Sequence, residues 1–160
     1  MEKEIKLKPI GTIYTPYKEP KGIPIQGKFK KDVKGTIRLF PEYQAGLKDV
    51  EGFSHLILIY YFHRSHEERL AGKPFLEDEE HGIFAIRSPH RPNHIGFSIV
   101  KLEKVNGFSL TFSEVDMLDG TPLLDIKPYI AHFDSRRRVK NGWIEKHFRN
   151  RRIPMRTRIK

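Results

Sequence analysis

The chain contains no cysteine, so neither a disulfide framework nor a thiolate metal site is open to it. It has no apolar run of about 18 residues, which argues against a transmembrane helix. The N-terminal MEKEIKLKPIG is charged where a signal peptide carries its apolar region. The expected setting is cytoplasmic, with no membrane partner. No two of the 12 glycines are spaced G-x-G, so the dinucleotide-binding fingerprint is missing, and so is the lysine-containing phosphate loop. H-E-x-x-H is absent. The pairs His63/His66 and His90/His94 do not by spacing assemble the three or four converging ligands a metal requires, so no metal site is expected. No G-x-S-x-G elbow supports a serine hydrolase, and Ser54-His55 reads as a strand entrance.

Charge is present in excess but unevenly. The 160 residues carry a net charge of +10, and residues 136–160 hold 11 Lys/Arg against one acid, Glu145. The preceding 135 residues hold 19 of each sign, so the body is neutral. A terminal block of like charge is either a solvated tail or an interaction arm. Nucleic acid suits an arm, because neutralising phosphates releases counterions. Trp143 and Phe148, interspersed among the arginines, either stack on bases or pin the tail to the body. Arg136, Arg137, Arg138, Arg149, Arg151 and Arg152 are the tail's candidate nucleic-acid contacts.

Strand patterns dominate the body, read as one domain over 1–135 with a basic extension over 136–160. Val33, Gly35, Ile37 and Leu39 alternate with polar residues, and so do Phe108, Leu110 and Phe112. His55 to Phe62 is an apolar run typical of a central strand. Ile5 to Tyr14, Gly82 to Ile86, Ile95 to Val105 and Leu123 to Ile126 supply further strands, and Asn106-Gly107 a tight hairpin turn. Helix is expected only as short pieces at Glu42–Gly46, Ser65–Ala71 and Asn141–Arg151, the last with Asn141 as N-cap. The acidic stretch Lys73–His81 reads as a mobile loop. Short strands between Pro/Gly turns predict a mainly β fold, barrel or sandwich.

Two segments carry chemistry. Gly82 to Gly96, GIFAIRSPHRPNHIG, places Arg87 and Arg91 in a loop stiffened by Pro89 and Pro92. Guanidinium forks on a rigid loop suit a carboxylate, a phosphate or a nucleotide. Asp116 to Gly120, DMLDG, is a turn whose backbone groups can read an adenine edge or an amino-acid tail. Asp125 and Lys127, two apart, share a strand face as an ion pair or a catalytic couple.

These blocks resemble the TsaA-like family. GIFAIRSPHRPNHIG is similar to its G-V-F-A-T-R-S-x-x-R-P-N-P-I-G, and GTIYTPYK at Gly11 to its G-x-I-x-S-P-Y-K. Pro24 and Gln26 fit its P-x-Q, FSHLILIYYFH its F-S-H strand, and DMLDGTPLLDIKPY its D-x-x-D-G-T-P-x-x-D-I-K-P-Y. The likeness covers roughly residues 8–134. His94 replaces a proline of the pattern, which predicts a less restrained loop after Asn93; Thr15 and Ile86 replace its serine and threonine.

The resemblance implies a compact single β-barrel, a homodimer, and S-adenosylmethionine as cofactor. It implies cofactor contacts at Pro24, Gln26, Gly27, Lys28, His63, Arg64, Arg87, Phe97, Met117, Leu118, Asp119 and Gly120. It further implies a tRNA partner, with methyl transfer to the N6 of threonylcarbamoyladenosine next to the anticodon. Asp119 and Asp116 are the two candidate bases, with no choice between them, and Arg91 braces the loop or faces RNA. A non-catalytic RNA-binding barrel and a methyltransferase acting on a small molecule are the competing readings.

Overall fold

A computed structural model describes residues 3–151 and 157–159. Its frame is a closed six-stranded barrel built from β1 (Gly11–Tyr14), β2 (Lys34–Leu39), β3 (His55–Tyr61), β6 (Ile95–Asn106), β7 (Ser109–Ser113) and β8 (Thr121–Pro128). The strand order around the barrel is β1-β2-β7-β6-β3-β8, and every neighbouring pair is antiparallel. Two further short strands, β4 (Ala71–Gly72) and β5 (His81–Gly82), pair with each other in the long excursion between β3 and β6.

The period of two in the sequence becomes inside and outside of this barrel. Ile13, Ile37, Leu56, Leu58, Val100, Leu110, Phe112 and Leu123 all point inward with no exposed surface. Removing one of these, Leu58→Ala for instance, costs about 2–5 kcal/mol through lost burial plus the cavity left behind. Bulges between Leu102 and Lys104 and between Ile59 and Tyr60 add the bend that closure requires.

Several local expectations are corrected. Ile5–Ile10 lies outside β1, which holds only Gly11–Tyr14. Gly82–Ile86 is not a strand: β5 ends at Gly82 and Ile83–Ala85 forms one 3-10 turn, its Ile83 side chain buried. Residues 65–70 are not helical, and Ala71 begins β4. Gly142–Arg151 is 3-10 rather than α-helical, with the Asn141 side-chain amide donating to Glu145 Oε2 (2.6 Å). The hairpin after β6 turns on Gly107 and Phe108, because Asn106 pairs with Ser109. The acidic stretch 73–81 is fastened: Leu76 and Glu77 are both buried, and Glu77 binds three side chains. The turn near Glu42–Gly46 is present as Pro41–Leu47. Asp125 and Lys127 do pair (2.6 Å), on the surface.

Because all neighbours are antiparallel, the connections alternate between the two ends of the barrel. The β1–β2, β3–β6 and β7–β8 connections share one end, and the β2–β3 connection and the β6–β7 hairpin share the other. Each motif-bearing loop belongs to the first group. Segments some 90 residues apart in sequence therefore meet on one rim.

Candidate active site

Two aspartates organise this rim. Asp116 follows β7 and faces the connection after β1: its Oδ1 accepts from Ser98 Oγ (2.5 Å) and its Oδ2 from the Gly27 backbone N–H (3.0 Å). Tyr60 in turn donates its hydroxyl to Ser98 Oγ (2.9 Å). Gly27 has no room for a side chain, since a Cβ would lie 1.7 Å from the Glu114 carbonyl oxygen. Only glycine lets that backbone N–H reach the carboxylate. Burial is the largest influence on Asp116 and raises its pKa to about 6, against the pull of Ser98, Gly27 and Arg87.

Arg87 joins the two loops above this carboxylate. Its Nη1 donates to Gln26 Oε1 (2.9 Å), and its guanidinium lies 5.8 Å from the centre of the Phe97 ring. Phe97 is 41% exposed on the outer face of β6. The rim thus presents a cation, an amide, an aromatic face and a carboxylate together.

Asp119, three residues on, has a different neighbourhood. Its Oδ1 accepts from the Thr15 backbone N–H (2.9 Å) and its Oδ2 from Lys18 Nζ (2.5 Å). Lys18 first, and Thr15 next, hold its carboxyl below the usual carboxylate range. The adjoining Gly120 has φ +78, a left-handed turn geometry glycine adopts without strain. His63 lies beside it, with Nε2 3.9 Å from where a Gly120 Cβ would stand. Burial and then Arg64 push the His63 pKa down, while Asp119 opposes them. Arg64 donates to the Lys18 carbonyl (2.6 Å). A concavity of about 330 Å³ opens next to Asp119, lined in part by Tyr14, Lys18, Lys34 and Thr36.

The remaining expected site residues are placed as follows. The Pro24 and Met117 side chains are buried in packing, leaving their backbones to the rim. Thr15 Oγ1 donates to the Met117 carbonyl (3.0 Å), and Thr121 Oγ1 to that of Leu118 (2.6 Å). Lys28 extends over Phe29, its ammonium 5.8 Å from the ring centre. Arg91 donates to the Ile86 carbonyl (2.9 Å) and braces the loop from within. The His94 expectation is reversed: its Nδ1–H donates to the Pro89 carbonyl (2.9 Å), and its ring is edge-on to Tyr61. The His94 φ of +48 is one no proline can take, so the loop is restrained by a side chain instead of a ring. Arg136, Arg137 and Arg138 are exposed; Arg136 donates to the carbonyls of Phe133 and Ser135. Arg152 and the side chains of Arg149 and Arg151 lie outside the described residues.

Three contributors escaped the sequence reading. Ser98 is a polar residue at an inward position of β6, between Gly96 and Val100, and that break in the alternation was its signal. Tyr60 belongs to an apolar run, and only the tertiary contact gives its hydroxyl a partner. Lys18 was legible as a basic neighbour of a motif, but not its partner 101 residues away. The one further ligand-like cluster among the described residues is Glu77, Glu79 and His81, whose donor atoms lie within 4.8 Å of one another. Lys146 Nζ already stands 2.7 Å from Glu77 and 3.7 Å from Glu79, so an ammonium supplies the cation there.

The fold and rim define a class: a small closed barrel that carries its polar site on the connections at one end, with no Rossmann sheet. A family model for the tRNA-methyltransferase O N-terminal domain matches residues 12–135, and the chain belongs to that family. A probable S-adenosyl-L-methionine-binding protein of Pyrococcus abyssi is 54% identical over 140 residues, spanning 88% of this chain and 76% of that protein. The tRNA (adenine(37)-N6)-methyltransferase of Mus musculus is 39% identical over 134 residues, 79% of this chain but 31% of the mouse protein. The crystal structure of TrmO from Pseudomonas aeruginosa superposes with a TM-score of 0.77 at 34% identity, covering 89% of this chain and 64% of that one. The chain therefore spans less than two thirds of the bacterial structure and about a third of the mouse enzyme.

Proposed function

We propose that this protein binds S-adenosylmethionine at the rim and methylates the N6 nitrogen of threonylcarbamoyladenosine beside the anticodon of tRNA. The observation that carries the reading is the meeting of Gln26, Arg87, Phe97 and Asp116 at one barrel end. The donor set fits the cofactor: a guanidinium for its carboxylate, an exposed ring for its adenine, and backbone groups of the 116–120 turn for its polar edges. When bound, the cofactor supplies an electrophilic methyl group.

The chain's own residues position the acceptor and remove its proton. The acceptor nitrogen sits in a urea-like group and loses a proton on attack. Of the two aspartates, Asp116 is the proposed base. A carboxyl shifted to about 6 is ionised at neutral pH yet retains proton affinity, whereas Asp119 is committed to Lys18. Asp119, Gly120 and His63 form the wall that holds the ligand in place. The exposed arginines 136–138 supply attraction for tRNA.

The reading includes a homodimer. Ile57, Ile59 and Tyr61 on β3 and Ile95, Phe97 and Ile99 on β6 form a continuous apolar patch on the outer barrel wall, all of them partly exposed. A face of this kind marks an interaction surface, and two-fold pairing of like faces covers it without a second protein. Phe97 belongs to both the patch and the rim, so the partner copy completes the site. A tRNA substrate agrees with a cytoplasmic setting, and no helix among the described residues is long and apolar enough to cross a membrane.

The deciding experiment is mass spectrometry of tRNA nucleosides after incubation with protein and S-adenosylmethionine. Methylated threonylcarbamoyladenosine is the expected product. Binding of tRNA without cofactor binding identifies a non-catalytic RNA-binding barrel. Cofactor binding with unchanged tRNA points to a small-molecule acceptor.

A further inference from the structure

The basic C-terminal segment is not a free arm over its described length. β8 carries the chain away from the rim, and the chain then returns to it. The Trp143 ring stacks on His81 (centres 4.7 Å apart, planes at 17°), and its Nε1–H donates to the Ala85 carbonyl (2.8 Å). Glu77 accepts from Lys146 (2.7 Å), from His147 Nε2 (2.5 Å) and from His81 Nε2. Phe148 stacks on Phe29 with ring centres 6.0 Å apart. Residues 157–159 form a short ladder with 22–25: Gly22 N–H to Ile159 O (2.8 Å), Ile159 N–H to Ile23 O (2.9 Å), and Ile25 N–H to Thr157 O (2.8 Å).

Among the described residues, these contacts fall on two connections. Ala85 is two residues before Arg87, and Ile25 and Phe29 flank Gln26 and Gly27. Arg87 and Gln26 are the residues through which those connections touch. We propose that the C-terminal segment is a strap that positions Arg87 and Gln26 for the cofactor, with Trp143 and Glu77 as its positioning residues. The proposal rests on the reading that Arg87 contacts S-adenosylmethionine.

The physical basis is the population of the competent loop. A ligand's apparent affinity falls by the fraction of time its site is assembled. The segment Ile83–Arg91 holds one 3-10 turn and internal braces from Arg91 and His94. The Trp143 N–H holds that segment from outside, at a main-chain carbonyl next to the functional side chain. Trp143→Phe removes that donor and keeps a ring to stack on His81. One hydrogen bond of ordinary net strength corresponds to about a five-fold shift in the equilibrium constant for assembly, the upper bound on the change in apparent affinity.

The test is a double-mutant cycle read by calorimetric titration with S-adenosylmethionine, alongside hydrogen exchange of the unliganded protein. Trp143→Phe is expected to raise the Kd by up to about five-fold in the unaltered background and by less in Arg87→Ala. Amides of residues 85–91 exchange faster in the variant, while β2, β7 and β8 keep their protection. Glu77→Gln, at the other anchor, shows the same pattern and guards against a local defect at Trp143. An equal loss in both backgrounds, or unchanged exchange at 85–91, overturns the strap. No cofactor binding by the unaltered chain, or full binding by Arg87→Ala, overturns the Arg87 reading and the proposal with it.

Discussion

Asp116 and Asp119 are three residues apart, in one turn, with the same side chain, yet the fold sends them to opposite electrostatic fates. Asp116 is turned toward the barrel, where loss of water is the strongest influence and its pKa rises to about 6. Asp119 is turned toward the β1–β2 connection, where Lys18 neutralises it and lowers its pKa. One carboxyl is poised to take up a proton near neutrality, and the other is a fixed anion. Two acids whose surroundings push them apart are the pattern expected where one does proton chemistry and the other positions.

The sharpest way to break this comparison is to exchange the two losses. Asp116→Asn is expected to slow single-turnover methyl transfer by about 100-fold or more, the scale of a lost general base. It also abolishes a rise in rate centred near pH 6. Asp119→Asn is expected to weaken binding while preserving that pH midpoint. If Asp119→Asn erases the pH dependence and Asp116→Asn retains it, the roles are reversed.

A smaller effect falls on stability. The folded pKa of Asp116 lies above the ordinary carboxylate value, so the native state binds its proton more tightly than the unfolded chain does. Its contribution to stability is full below about pH 4 and is lost as pH rises through about 6. At pH 7 the ionised group is a net cost. Asp116→Asn is therefore expected to stabilise the protein at pH 7 by on the order of 1–3 kcal/mol, with the gain fading toward pH 4. The Asn amide leaves one hydroxyl donor of the Ser98–Tyr60 pair without an acceptor, which takes the gain toward the lower end of that range. Denaturant unfolding at the two pH values measures it; a loss at pH 7 contradicts the burial argument.

The smallest expected effect is on the other side of the comparison. The Lys18–Asp119 pair has an exposed lysine, and such pairs contribute at most about 1 kcal/mol. Its depressed pKa gives stability present above the unfolded value and lost as pH falls through the folded one. Lys18→Ala is expected to raise the Asp119 titration midpoint, read by carboxyl NMR, with little change in Tm. A Tm fall as large as that from a core truncation assigns Lys18 a structural role beyond this pair.

Much of the frame was legible from residue order. The alternation in residues 35–39 and 110–112 identified strands with one dry face, because a strand side chain has only two directions to point, whereas Phe108, read as part of the second, falls in the hairpin turn and is exposed. The run 55–62 was legible as a strand, but not that its outward residues Ile57, Ile59 and Tyr61 would join a half-exposed patch with β6. Residues 83–86 misled, since an apolar run fits a 3-10 turn that buries Ile83 and leaves Phe84 exposed as well as it fits a strand. The acidic stretch misled for a related reason. Charge implies solvent exposure until a distant cation arrives, and the partners of Glu77 include Lys146 and His147, about 70 residues further along.

By itself, the sequence determined which strand faces are dry, which loop its prolines stiffen and which residue types are available for chemistry. These follow from side-chain polarity, proline geometry and spacing, all properties of neighbours along the chain. Tertiary structure decided which loops share a rim, which aspartate is dry and which is paired, and that the basic tail returns to clasp the loops. Those depend on strand order and barrel closure, which set distances between residues that the sequence leaves unconnected. The pKa of a carboxyl is set by what surrounds it in space, and for Asp116 and Asp119 that is all that differs.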